Sequence, residues 1–372
     1  MTNLTGVRKI FLLGDLHLGV RNNSTEWFEI QKSFLLDFFI RKIEEDGFDP
    51  EQDILFQAGD WNHVRESTNV RIWNSSLDIA DALSKKFKKG VYIILGNHDV
   101  YYKDRTDTHS LKGFDRMFPN FKIFEKHEIL TVNGKHKFLM LPWIENVDEI
   151  SQVVLSHKGK VDYILCHADI KGFRLNRWAT LEHGLEMNDL KSFKRIYSGH
   201  IHIRQENDNS LYVGTPYHMD RGDRGNTKGF YILDFSTGEL TERFVENTES
   251  PQYVKHDMND LLNLNSEELS SLFKNNFVDV MIDADFAANF PITQFTELVK
   301  PLGYRHIEFF TYNKEQKTRS EQEQDSNYEY NIFDILENQL TARNYSELLK
   351  GDIKNKFKEI YDSLKNTKSH AQ

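Results

Sequence analysis

Residues 9–17, KIFLLGDLH, read as a short apolar strand that stops at a glycine and then presents Asp15 and His17. An apolar run of this length, bounded by a turn residue, is the pattern of a strand buried on both faces. The pattern recurs along the chain. DILFQA (53–58) leads to Asp60 and His63, VYIIL (91–95) leads to Asn97, His98 and Asp99, and DYILC (162–166) leads to His167. RIYSG (195–199) leads to His200 and His202, whose one-residue spacing lets both rings reach toward one place. Amphipathic stretches separate the strands. In residues 24–46, Trp27, Ile30, Phe34, Phe38 and Ile43 fall near helical spacing behind a Ser24 or Thr25 cap. A second helix carries Ile72, Trp73, Leu77, Ala80, Leu83 and Phe87 on one face. Strand–helix–strand repetition predicts an α/β layered domain.

Farther along, HEILTVNGKHKFLMLPW (127–143) alternates about Asn133-Gly134, a hairpin signal. SLYVGTP (210–216) and KGFYILDF (228–235) read as another strand pair, so a second, partly antiparallel sheet is expected to join the first. TGELTERFVENTES reads as a polar crossover, and residues 277–310 as strand, helix and strand of a small α/β domain. A charged stretch without apolar period follows. The organisation predicted is a main domain over 1–245, a small domain over 246–312, a linker over 313–330 and a helical segment over 331–372. The last carries Ile332, Phe333, Leu336 and Leu340 on one amphipathic helix and Ile353, Phe357, Ile360 and Leu364 on another.

Composition narrows the function. The chain has 372 residues, 39% hydrophobic, enough for a large core and two domains. No apolar run reaches the roughly 18 residues of a membrane helix. The opening MTNLTGVRKIFLLGD reads as a core strand, not a signal peptide. A single cysteine, Cys166, allows no intrachain disulfide and fits a reducing cytoplasm. A formal charge of −10 argues against coating nucleic acid by bulk charge.

The chemistry lies just beyond the strands. In open α/β sheets, sites form outside the carboxyl ends of the strands. A lone Asp-x-His or His-x-His is ordinarily a turn or a solvated pair. Five strands in succession that each end in Asp, Asn or His point instead to one shared site. Asp15, His17, Asp60, Asn97, His167, His200 and His202 include no thiolate and suit a hard or borderline divalent cation. Seven positions exceed the needs of one metal and suit two that share a carboxylate, the standard device for hydrolysing phosphate esters. Among the other histidines, His218 follows GTPY near the site.

The order D-x-H, GD, GNHD, H, GHxH over residues 15–202 resembles the calcineurin-like metallophosphoesterase superfamily. GDWNH, with its histidine three residues after Asp60, is similar to the DNA double-strand-break repair nucleases of the SbcD type. YVGTPYHMDRGDRGNTKGFYILDF (212–235) is similar to the stretch that follows GHxH in them, with phage recombination nuclease subunits nearest in length. There are departures: Trp61 and Asn62 stand where the family is more apolar, and Cys166 where glycine is common.

The resemblance implies a layered two-sheet metallophosphoesterase sandwich with a small α/β capping domain and C-terminal helices. It implies that Asp15, His17, Asp60 and His202 hold one metal and that Asp60, Asn97, His167 and His200 hold the other, with manganese, or alternatively magnesium, as the ion. His98 would stabilise the transition state or protonate the leaving group, Asp99 would orient its ring, and His63 would contact the scissile phosphate. The activity implied is two-metal hydrolysis of DNA phosphodiesters, exonuclease or endonuclease, in double-strand-break repair and recombination. The partners implied are DNA, an SMC-like coiled-coil ATPase of the SbcC type docked on the C-terminal helices, and a second copy of the chain through Trp27, Phe28 and neighbouring residues. Together they would form a heterotetramer in the cytoplasm of a bacterium or a phage-infected host. Lys171, Arg174 and Arg177, after His167, and Arg221 and Arg224, after the GTP turn, are the expected phosphate contacts, whereas Lys85, Lys86, Lys88 and Lys89 close a helix where lysines suit its dipole. The alternatives are a phosphoesterase of the same superfamily acting on small molecules or phosphoproteins, and an inactive scaffold.

Overall fold

In the computed structural model the chain divides into two units, Met1–Thr311 and Tyr312–Gln372. The structure describes residues 2–176 and 179–313, together with Lys356. The expected linker, the two expected C-terminal helices and their apolar residues Ile332 to Leu364 therefore lie outside the described residues, as does Arg177.

Two large mixed sheets form the centre of the first unit. One has six strands in the order Thr241–Glu246, Gly229–Asp234, Lys9–Leu13, Ile54–Gln57, Val91–Ile94 and Phe121–Phe124. The last four run parallel. The other has seven, in the order Thr2–Leu4, Glu128–Val132, His136–Leu141, Tyr163–His167, Arg195–Gly199, Ser210–Tyr212 and Gln205–Asn207. Alternate residues of a strand face opposite sides. Ile10 and Leu12 therefore enter the layer between the sheets, with Phe56, Ile94, Phe138, Leu165 and Tyr197. Phe11 and Leu13 face the helices on the outside, against Phe34, Phe39 and Phe87. On the far face, Leu139, Ile164, Cys166 and Ile196 are covered by Ile150 and Val154 of the helix Val147–Ser156. Because both faces of each sheet are covered, the central strands read as unbroken apolar runs. The result is the expected layered α/β sandwich.

The first long helix begins at Thr25, where Ser24 caps the backbone N–H of Trp27. It passes through a π-helical stretch, Phe34–Phe39, before continuing as Ile40–Glu45. The wider π turn absorbs the five-residue step from Phe34 to Phe39, so both side chains stay on the buried face. The second helix, Val70–Lys86, is capped by Asn69. Its closing lysines pair with local carboxylates, Lys85 with Asp81 and Lys86 with Glu44. The hairpin about Asn133-Gly134 forms as expected.

Three expectations are corrected. Ser210–Tyr212 and Gly229–Asp234 are not partners: the first joins Arg195–Gly199, and the second joins Lys9–Leu13 in the other sheet. The intervening GTP segment crosses from one sheet to the other, and strand-like patterning does not encode that choice. The stretch read as a polar crossover contains the edge strand Thr241–Glu246, polar because most of it is exposed. Trp27 and Phe28 are buried, so neither presents a surface to a second copy. Trp27 instead stacks on Phe277, with ring centroids 5.4 Å apart, and on Tyr253.

That stack joins the main sheets to a three-stranded module, Tyr253–Asp257, Phe277–Asp283 and His306–Tyr312, which has its own apolar core. Strand parity again sorts the residues. Val278, Val280 and Ile282 face the module's own helices, while Phe277 and Asp279 face the main body. Two of those helices, Met258–Leu262 and Ser266–Phe273, have no counterpart in the sequence reading.

Candidate metal centre

Three parallel strands of one sheet and two of the other end at the same edge, and the seven candidate ligands converge there. The chain must turn sharply after each strand. His17, Asp60 and His200 adopt left-handed backbone conformations, with φ of 47°, 56° and 89°. Such conformations persist only where surrounding contacts enforce them, and they concentrate at functional sites. Here the Asp60 carbonyl accepts from the N–H groups of both Leu16 and His17, and the Asp15 carboxylate accepts from His200 N–H at 2.9 Å. A side chain at Gly199 has no room, because a Cβ there would lie 2.2 Å from the Ala58 carbonyl oxygen.

Asp60 is the centre of the cluster. Its Oδ2 lies 3.5 Å from His17 Nε2 and 3.4 Å from His167 Nε2, and its Oδ1 accepts from His98 N–H. On one side, His17 Nε2 is 2.9 Å from His202 Nε2, and Asp15, His17 and His202 bring ligand atoms within metal-binding reach of one another. On the other, the Asn97 side-chain oxygen lies 2.9 Å from His167 Nε2 and 3.0 Å from His200 Nδ1. The ring of His167 is set by its Nδ1, which donates to the Ala58 carbonyl at 2.8 Å and leaves Nε2 facing Asp60 and Asn97. Paired imidazole nitrogens, carboxylates and an amide oxygen turned toward one another form the environment that a divalent cation satisfies, and the absence of thiolate favours a hard or borderline ion. The residues fit the metal that the sequence pattern implies.

The electrostatics of the buried groups agree. Burial raises the Asp15 carboxyl to about 8, with Asp60 adding to the effect against the pull of His167. Burial opposes ionisation of Asp60 too, but His167, His17 and His98 together hold it well below the usual carboxylate range. Burial likewise opposes a charge on His167, yet Asp60 and Asp15 raise it to about 9. His17 is held well below the usual histidine range by burial, and His202 is lowered to about 4 by the same cause.

His63 and His98 stand beside the cluster, stacked on each other with ring centroids 5.2 Å apart. His98 Nδ1 bonds the His63 carbonyl at 2.7 Å, and His63 Nδ1 lies 3.2 Å from His17 Nδ1. The expected role of Asp99 is corrected. It does not touch the His98 ring but accepts from the N–H groups of Asp60, Gly96 and Asn62, tying two ligand-bearing loops together. A carboxylate adjacent in sequence to a histidine projects away from it here, toward backbone donors that burial would otherwise leave unpaired.

The expected phosphate contacts divide. Lys171 pairs with Glu186, and Arg174 is exposed. Arg221 and Arg224 are corrected: both bind Asp279 of the three-stranded module, and Arg221 also binds Glu308. Asp279 is buried, and a buried carboxylate requires such partners. His218 is structural, donating from Nε2 to the Asn226 carbonyl and accepting Tyr253 N–H at Nδ1.

Sequence reasoning missed four supporting residues. Gln57 bonds the backbone of Gly14 and Gly59, and Gln31 bonds the carbonyls of Leu16 and His17. Gln57 is a lone amide in an apolar strand, which is itself a signal, whereas Gln31 stands among Glu29, Lys32 and Ser33 and carries none. Asp169 lies 3.0 Å from His200 Nε2, and the Trp143 ring lies against His200 with centroids 4.9 Å apart. No local pattern marks these last two.

Residues 8–204 match the family model for calcineurin-like phosphoesterases. The chain is 29% identical over 246 residues to exonuclease subunit 1 of Enterobacteria phage T4, covering 64% of this chain and 68% of that protein. It is 27% identical over 284 residues to the DNA double-strand break repair protein Mre11 of Methanocaldococcus jannaschii, covering 68% and 70% respectively. With these candidate ligands in the family order at the ends of the matched strands, this chain belongs to the calcineurin-like phosphoesterases.

Proposed function

We propose that this protein is a DNA nuclease that hydrolyses phosphodiester bonds with two divalent cations, manganese or magnesium, and works as a homodimer with an SMC-like coiled-coil ATPase at DNA ends. The observation that carries the chemistry is Asp60, shared between two ligand groups. Asp15, His17, Asp60 and His202 would hold one cation, and Asp60, Asn97, His167 and His200 the other. Bound there, such ions supply Lewis-acid polarisation of phosphoryl oxygens and acidify water. The chain's own groups do the rest. His63 orients the scissile phosphate. His98, its Nδ1 fixed on the His63 carbonyl, gives a proton from Nε2 to the departing ester oxygen. One P–O bond forms to water as one P–O ester bond breaks, and the proton that the water loses passes to solvent, from which His98 is reprotonated.

DNA as the substrate, and a role in double-strand-break repair and recombination, are supported by the exonuclease subunit and the double-strand break repair protein that the chain resembles and by the likeness of GDWNH, with His63, to the SbcD-type nucleases. The ATPase would dock on the apolar residues of 332–340 and 353–364. Arg174, Lys171 and Arg177 remain the phosphate contacts of choice. The test is cleavage of an end-labelled linear duplex with and without manganese, by wild type and His98→Ala. Manganese-dependent cleavage lost in the variant is the expected result. Hydrolysis of bis-p-nitrophenyl phosphate with no cleavage of DNA, even with the ATPase added, would replace the nuclease with a phosphoesterase of smaller substrates.

A further inference from the structure

His200 and His202 reach the cluster by different means. His200 follows directly on the strand Arg195–Gly199, and the Asp15 carboxylate holds its N–H. His202 lies beyond the strand, where no sheet ladder fixes its backbone. Its carbonyl accepts two hydrogen bonds, from Thr215 N–H at 3.1 Å and from the Lys228 ammonium at 2.7 Å.

Lys228 is a fully buried cation, 2% exposed. An ammonium has three protons to place, and a buried one must place them all. One goes to the His202 carbonyl, one to the Thr215 hydroxyl at 2.9 Å and one to the Asp223 carboxylate. Asp223 in turn accepts Met219 N–H, so both ends of the ion pair are fixed to backbone. Nothing in the reaction proposed above uses this pair. A neutral pair of side chains would fill the same space without the cost of burying two charges. What the ammonium adds is a fixed distance from the turn at 220–224 to the backbone of His202.

We propose that Lys228 is a positioning residue for the metal centre: its ammonium holds the His202 backbone so that the imidazole reaches the cation shared with Asp15, His17 and Asp60. The inference rests on the metal-ligand reading of His202. Groups that orient ligands from behind typically change metal affinity about 10–100-fold when removed, and a loss of that size is expected for the site containing His202.

Lys228→Met alone strands a buried Asp223 charge and destabilises the fold. The informative variant is Asp223→Asn with Lys228→Met, which removes both charges and leaves an acceptor for Met219 N–H. Manganese affinity is measured by calorimetry on the full chain, and the absorption spectrum is recorded after loading with cobalt(II). Trp27→Ala, which removes no candidate ligand, serves as the control for lowered stability. The expected result is manganese affinity in the folded double variant weaker by about 10–100-fold with an altered cobalt spectrum, while Trp27→Ala keeps wild-type affinity and spectrum. Wild-type affinity and spectrum in the double variant would overturn the inference and leave the metal centre standing. A wild-type protein that binds neither ion would overturn the metal reading and this inference with it.

Discussion

The Nδ1 of His98 bonds the backbone carbonyl of His63 at 2.7 Å, so the loop that carries one candidate reaction residue aims the ring of the other. With Nδ1 engaged, Nε2 is the nitrogen available for proton transfer. His98→Ala removes that nitrogen and none of the seven residues proposed to hold the two cations, although His98 also lies in a cluster with His17 and His63. Turnover is expected to fall by about 10²–10⁴-fold, with manganese affinity unchanged by calorimetry. Full turnover in the variant would end the proton-donor role.

Cation affinity should depend on pH in a stated direction. Asp15 is raised to about 8 and His167 to about 9, so at neutral pH both hold protons that a cation must displace. As pH rises through that window the competing protons leave. Affinity should therefore rise between pH 7 and 9, by up to about tenfold per pH unit for each proton displaced. Calorimetry in buffers of different ionisation enthalpy reads both the affinity and the protons released. An affinity that stays flat or falls across this range would contradict the assignment.

Gly199→Ala should disable the centre without touching a ligand. The added Cβ would sit 2.2 Å from the Ala58 carbonyl oxygen, 2.5 Å from Asp15 Oδ1 and 2.8 Å from His167 Nδ1. It would thus wedge apart the bond that orients His167. Manganese binding is expected to be lost or weakened at least about tenfold, together with a lower melting temperature. Unchanged binding would show that the strand ends can move apart to admit a methyl group without disturbing the centre.

Trp27→Ala separates two uses of one residue. Buried against Phe277 and Tyr253, its loss should cost about 3–5 kcal/mol in urea unfolding, with no change in oligomeric state by sedimentation. A dimer-interface role predicts the reverse: near-wild-type stability and a shift toward monomer.

Much of the site was legible because strand, turn and ligand are adjacent in sequence. KIFLLGDLH contains a buried strand, the glycine that ends it and two candidate ligands, and each of the other four strands likewise runs directly into one or two candidate ligands. Adjacency also misled. Asp99 follows His98 directly yet serves the backbone of Asp60 and Gly96, because the chain reverses between the two side chains. Arg221 and Arg224 follow the GTP turn yet answer a carboxylate at Asp279, more than fifty residues away along the chain.

The sequence by itself determined the apolar strands and the residue types at their ends, since each depends on short-range patterning. The tertiary structure alone decided that Gly229–Asp234 joins Lys9–Leu13, that Trp27 is covered by Phe277, and that Lys228 reaches the His202 carbonyl. Those are pairings between distant segments, selected by which buried donors, charges and apolar faces must find partners once the two sheets close on each other, and no local spacing records that selection.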